Sequence, residues 1–172
     1  MSTGAILFTD MVEPTALRTR LGDDRADLLR SHHDALLTSG IEANHGAVTR
    51  WTGDGVKAAF STASDAVGAA VAIQRAVRDY GTSDDAIAAF QVSIGLSVGG
   101  VTIDEAGDQA GLAVVEAARL EALARPGEIL ATEMVRMLGQ RRSSVAFEEV
   151  GGAHRDRLER RGRQSGWQVG QK

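Results

Sequence analysis

Apolar positions along this chain follow two periods, and the switches between them lay out the elements. Ala5-Ile6-Leu7-Phe8-Thr9 is an unbroken apolar run of strand length, ended by Asp10. Pro14 suits the first turn of a helix, where its missing N–H costs nothing, and residues 15–21 predict a short helix closed by Gly22. Asp23-Asp24 sits where a second helix would start, favoured by its dipole; Leu28, Leu29, His32, Leu36, Leu37 and Ile41 recur at helical spacing to about Ala43. Asn44-His45-Gly46 breaks that pattern. Two apolar runs then flank Gly53-Asp54-Gly55 and predict a β-hairpin over 47–60, with Asp-Gly tolerating the positive φ angles of a type I′ turn.

Ser61 or Ser64 can cap the next helix, whose face is Ala66, Val67, Ala70, Val71, Ile73, Gln74, Val77 and Arg78, running to about Tyr80. Residues 81–85 read as a loose loop. Strand character returns over 90–98, and Gly99-Gly100 leads to a further strand at Val101-Thr102-Ile103, followed by a turn over 104–107. Gly111 to Ala124 predicts a helix stopped at Arg125-Pro126-Gly127, because the residue before proline disfavours the helical region. A short strand (128–131), a short helix (132–138) and a C-terminal hairpin complete the order. This is an α+β chain with a ferredoxin-like βαββαβ core, a mixed sheet and helices largely on one face. No repeat or linker divides it, so residues 1–172 are read as a single domain.

Composition narrows the picture. With 43% hydrophobic and 24% charged residues, the chain can bury one sizeable core. It has no cysteine, which excludes disulfides, thiolate zinc sites and a cysteine nucleophile. A formal charge of -4 gives no general attraction to nucleic acid, so that partner is not expected. No run approaches the roughly 18 apolar residues of a membrane span, and the N-terminus lacks a basic signal region; a cytoplasmic protein without membrane association is expected.

The candidate chemistry begins with two carboxylates. Asp10 ends a strand and Asp54 sits at a hairpin tip, so they meet if those strands are neighbours. An Asp-Gly tip alone is usually only a turn. Paired with Asp10, it becomes an oxygen-ligand arrangement for Mg²⁺ carried by substrate phosphates. Phe8-Thr9-Asp10-Met11-Val12 and Thr52-Gly53-Asp54-Gly55, in this order and spacing, resemble the two metal motifs of the class III adenylate/guanylate cyclase catalytic (cyclase homology) domain, bacterial stand-alone type. The similarity runs from about residue 5 to 167.

The resemblance implies roles residue by residue. Asp10 and Asp54, with the Met11 carbonyl, would hold two Mg²⁺ or Mn²⁺ ions per site while the ribose 3′-hydroxyl of ATP attacks the α-phosphorus. Backbone amides from Val12 to Thr15, at a helix start, would hold the distal phosphates. Arg50 stands at the purine-reading position, where a lysine is usual for adenylate cyclases, and Asp108 matches its acidic partner, suited to the adenine 6-amino group; GTP is the other candidate substrate. Arg119 matches the transition-state arginine and Arg161 the triphosphate-contacting basic residue. Because one set of residues comes from each subunit in this family, a head-to-tail homodimer is implied.

Several residues depart from the family pattern. Val115 replaces the asparagine that orients the ribose and can make no hydrogen bond. Glu13-Pro14 replaces small residues, and Ser97 a frequent histidine. Lys57 is read as facing solvent, and the arginines from Arg155 to Arg163 as a solvated tail or a phosphate patch. Two readings follow: a nucleotidyl cyclase making cyclic AMP, weakened by Val115 and Arg50, or an impaired cyclase-homology domain acting as a nucleotide-binding or dimerising regulatory module.

Overall fold

The computed structural model describes residues 2–81, 90–103, 108–139, 145–150 and 166–171. Its elements are β1 (Ser2–Met11), α1 (Pro14–Leu21), α2 (Asp23–Glu42), β2 (Ala47–Trp51), β3 (Val56–Phe60), α3 (Ala63–Gly81), β4 (Val92–Ile103), β5 (Gln109–Ala110), α4 (Leu112–Glu121), β6 (Ile129–Ala131), α5 (Glu133–Gly139), β7 (Val145–Glu149) and β8 (Trp167–Gln171). The strands form one mixed sheet in the order β2-β3-β1-β4-β6-β8-β7, with β5 paired to β4. Only β4 and β6 are parallel. The first four strands in that order are the antiparallel ferredoxin-like core.

Alternation along β1 sorts the two faces of the sheet. Ala5, Leu7 and Met11 enter the main core with Leu29, Leu37 and Ile41 of α2 and Val67, Ala70 and Ile73 of α3. Ile6, on the opposite face, packs with Val101 against Ala113 and Ala117 of α4, and Phe8 joins them. Leu17 and Leu21 of α1 and Val135 of α5 join this core, so four helices share one face and, among the described helices, α4 alone covers the other. Its close seat depends on Gly95, where a Cβ would come within 2.2 Å of the Ala117 carbonyl.

Three local expectations change. In α2 the buried histidine is His33, not His32, because Leu29, His33, Leu37 and Ile41 form the true inward stripe; Leu28 is 59% exposed. His32 instead stacks on Tyr80 at the surface. Gly99-Gly100 does not divide β4, since the ladder pairs these glycines with Gly4 and Thr3 through backbone groups that need no side chain. Only Gly53 of the hairpin tip has positive φ, at 98°, so the glycine leads the central pair, as in a type II′ rather than a type I′ turn. The predicted loop over 82–85, the turn at 104–107 and the arginines from Arg155 to Arg163 lie outside the described residues.

The hairpin tip is pressed against β1. The Met11 amide donates to the Asp54 carbonyl at 2.9 Å, and the Val56 amide donates to Thr9 Oγ1 at 3.2 Å. Between them, a Cβ at Gly55 would stand 1.7 Å from the Thr9 carbonyl oxygen. Gly55→Ala must break this stitch, and the expected cost is about 3 kcal/mol, the upper range for overpacking. Urea unfolding checks it; a midpoint equal to that of the unmodified protein would show that the tip is not held on β1.

Candidate active site

The stitch sets Asp10 and Asp54 beside each other at one end of the sheet. Burial first, and then the charge of Asp54, raise the Asp10 carboxyl above its ordinary value, opposed by Arg30 and by the Met11 amide. Arg30, on α2, carries the compensating charge. Its Nη1 donates to Asp54 Oδ1 at 2.6 Å, its Nη2 to the Gly53 carbonyl, and its Nε to Asp34 Oδ1 at 3.3 Å. A cavity of about 240 Å³ opens alongside, lined by Met11, Pro14, Thr15, Arg18, Arg30 and Asp54 among others.

A third carboxylate approaches from the opposite layer. Glu121, at the end of α4, is pushed up to about 7 by burial and then by the charge of Asp10. The sequence signal for it was weak: an acid inside an amphipathic helix is usually a solvated one. Gly95 explains its position, because the missing Cβ lets the backbone of Glu121 close onto β4, within 2.3 Å of where that Cβ would be.

Two crowded carboxylates with hard oxygen donors can take a divalent cation. Among the described residues no cluster of three or more His, Cys, Asp or Glu side chains is assembled. Any further ligands would therefore come from backbone, solvent or a bound phosphate. The Met11 residue is buried, and its amide is committed to Asp54. At the α1 start, Thr15 lines the cavity, while the Val12 amide is already donated to the Gln91 carbonyl at 2.9 Å. Pro14 has no N–H, so this run offers fewer donors than its length suggests. Glu13 adopts a left-handed conformation with φ 48°, strained for a residue with a Cβ.

A second cluster forms further along the hairpin. Arg50 and Lys57 are cross-strand partners. Two cations opposite each other on one sheet face repel, and here Asp108 bridges them. Arg50 Nη2 lies 2.6 Å from Asp108 Oδ2, and Lys57 Nζ donates to Asp108 Oδ1 and to the Gln109 carbonyl. Lys57 is only 2% exposed, which corrects its reading as a solvent-facing residue. The alternating pattern could not reveal this, because the covering group is 51 residues away in sequence. The Lys57 hydrogen bond, with help from the Gln109 amide and Arg50, holds the Asp108 carboxyl below the usual carboxylate range. Asp108 is thus an ionised acceptor.

Val115 and Arg119 share the exposed face of α4, one turn apart. No ion pair among the described residues joins Arg119 to Asp10 or Asp54. Ser97 is fully buried on the α4 side and bonds Glu116 Oε2 at 2.8 Å, so it ties β4 to α4. Arg161 lies outside the described residues.

The chain thus presents an acidic cluster and a basic cluster on separate parts of the fold. The chain resembles the crystal structure titled adenylate/guanylate cyclase/hydrolase from Silicibacter pomeroyi, at 29% identity and TM-score 0.79, over 99% of this chain and 97% of that one. The chain thus resembles class III adenylate/guanylate cyclase domains in sequence and fold. The chain is also 29% identical, over 86% of its length, to "Putative adenylate cyclase 3" of Rhizobium meliloti (strain 1021); it spans about a quarter, 25%, of that relative. Adenylate cyclases of Trypanosoma brucei, solved in their monomeric state, share its fold at 20% identity and TM-score 0.75, covering 98% of this chain and 89% of theirs. No protein-family model matches the chain. No helix among the described residues is long and apolar enough to cross a membrane.

The Glu121 shift has a signed consequence. A carboxyl whose folded pKa is raised holds more protons folded than unfolded between its two values, here 4.5 and about 7. Its contribution to stability is therefore greatest at low pH and falls as pH rises through that window. Chemical unfolding at pH values near 5 and near 7.5 is expected to show this slope, and Glu121→Gln to flatten it. An unchanged slope in the variant would place the titration elsewhere.

Proposed function

We propose that this domain is a nucleotidyl cyclase that converts ATP to 3′,5′-cyclic AMP and pyrophosphate by two-metal catalysis at a head-to-tail homodimer interface. The observation that carries this reading is the backbone stitch, which fixes Asp10 and Asp54 side by side next to a cavity at the start of α1. Asp10 and Asp54, with the Met11 carbonyl, would hold two Mg²⁺ or Mn²⁺ ions. Those ions supply Lewis acidity toward the ribose 3′-hydroxyl and neutralise triphosphate charge.

The chain's own groups do the remaining work. Thr15 and the α1 N-terminus face the distal phosphates with backbone amides and the helix dipole. Ionised Asp108 accepts a hydrogen bond from the adenine 6-amino group, and Arg50 beside it keeps positive charge at the purine site. Arg119, supplied by the partner copy, would meet charge developing on the transferred phosphoryl group. GTP remains the alternative substrate, since a planar guanidinium at position 50 does not read a base as a lysine does.

The dimer is supported by what α4 leaves uncovered. Ile103, at the end of β4 and paired with Gln109, and Leu112 and Val115 of α4 are 67, 70 and 45% exposed. Large apolar groups left exposed close together mark an interaction surface. A second copy placed there would bring the basic cluster of one protomer to the acidic cluster of the other.

The second reading is a cyclase-homology domain that has lost its rate and serves as a regulatory module. It is favoured by the engagement of Arg50 with Asp108 and by the apolar side chain at Val115.

Cyclic nucleotide production from ATP and GTP with excess Mn²⁺, beside Asp54→Ala, separates the two readings. Product from ATP that vanishes in the variant is expected. In a weakened enzyme, Val115→Asn with Arg50→Lys should raise the rate on the order of tenfold or more, by restoring positioned polar groups. No product from either nucleotide, with the dimer intact, would favour the regulatory module.

A further inference from the structure

Arg30 has no assigned part in the chemistry above, yet it sits on the Asp54 carboxylate. Its guanidinium bridges two acids of different standing. Asp34 lies on the same helix, one turn on, and is itself held by Nδ1 of the fully buried His33 at 2.9 Å. Asp54 lies at the hairpin tip and is one of the two carboxylates the proposed reaction assigns to divalent ions. The Arg30 and Asp54 side chains are 36 and 40% exposed, so this ion pair is accessible to solvent and weak enough to exchange.

A guanidinium and a divalent cation on one carboxylate oxygen repel each other strongly at such short range. Binding of either therefore disfavours the other, and the coupling is reciprocal. Arg30 also lines the 240 Å³ cavity together with Thr15 and Arg18. A planar fork of donors beside an N-terminal helix turn suits a phosphate group, which it can engage through two parallel hydrogen bonds.

We propose that Arg30 is an exchangeable counter-ion. It neutralises Asp54 in the metal-free protein and yields that carboxylate to a divalent ion. Still tethered to Asp34 through Nε, it then offers its freed Nη groups to phosphate oxygens of the nucleotide in the adjoining cavity. This rests on the metal-dependent reading of Asp10 and Asp54.

The device predicts effects of opposite sign from one substitution. In the full chain, Arg30→Gln should tighten binding of Mn²⁺ alone, followed by electron paramagnetic resonance, on the order of tenfold. The same variant should weaken binding of Mn²⁺-tripolyphosphate, followed by calorimetry, by a similar factor. Arg30→Lys keeps the charge without the fork, so it should leave Mn²⁺ binding near the unmodified value and restore tripolyphosphate binding only in part. Should Arg30→Gln lose its fold by circular dichroism, Arg30→Lys carries the test.

Unchanged or weakened Mn²⁺ binding in Arg30→Gln would overturn the counter-ion role and leave Arg30 a structural brace. Tightened Mn²⁺ with unaltered tripolyphosphate binding would overturn the phosphate role. Failure of the unmodified protein itself to bind Mn²⁺ in either form would overturn the metal reading beneath the proposal, and is distinguishable because it precedes any substitution.

Discussion

Gly55 lies against the Thr9 carbonyl with no room for a side chain, and the hydrogen bonds on either side of it hold the hairpin tip on the end of β1. This close approach fixes three things at once: the register of β3 on β1, the separation of Asp10 from Asp54, and the reach of Arg30 from α2. Were the tip free to swing, Asp54 would be an ordinary turn residue and Asp10 an ordinary strand end. The site is thus a consequence of backbone geometry, and the side chains that do chemistry are carried on it.

The two clusters are complementary in charge. At the tip, Asp10 and Asp54 gather negative charge that Arg30 balances in part, while burial keeps nearby Glu121 protonated toward neutral pH. Along the hairpin, Arg50 and Lys57 outnumber the single carboxylate of Asp108. Each cluster carries charge that a second body could satisfy: cations at the first, anions at the second.

The layers of the fold keep these clusters open. Four helices crowd one face of the sheet and build the main core, whereas among the described helices α4 alone covers the other, seated through Gly95, Ala113 and Ala117. Small residues bring α4 close enough for Glu121 to feel Asp10. The same economy leaves Leu112 and Val115 of α4 exposed.

By itself, the sequence determined most of the element order, the ferredoxin-like plan and the two motifs that hold Asp10 and Asp54, because hydrophobic periodicity and glycine punctuation act over short stretches; it did not reveal the two-residue β5. It also marked Arg50 and Asp108 as partners through resemblance. Tertiary structure alone decided which histidine of α2 is buried, since a one-residue rotation of the inward stripe leaves its period unchanged. It decided that β4 runs unbroken through two glycines, because the ladder with β1 uses backbone groups only. Lys57 became a buried counter-ion, Glu121 a raised acid and Arg30 the occupant of Asp54 for a common reason. Each depends on charge brought from a distant element, and Coulombic and desolvation energies follow distance in space, which local sequence does not encode.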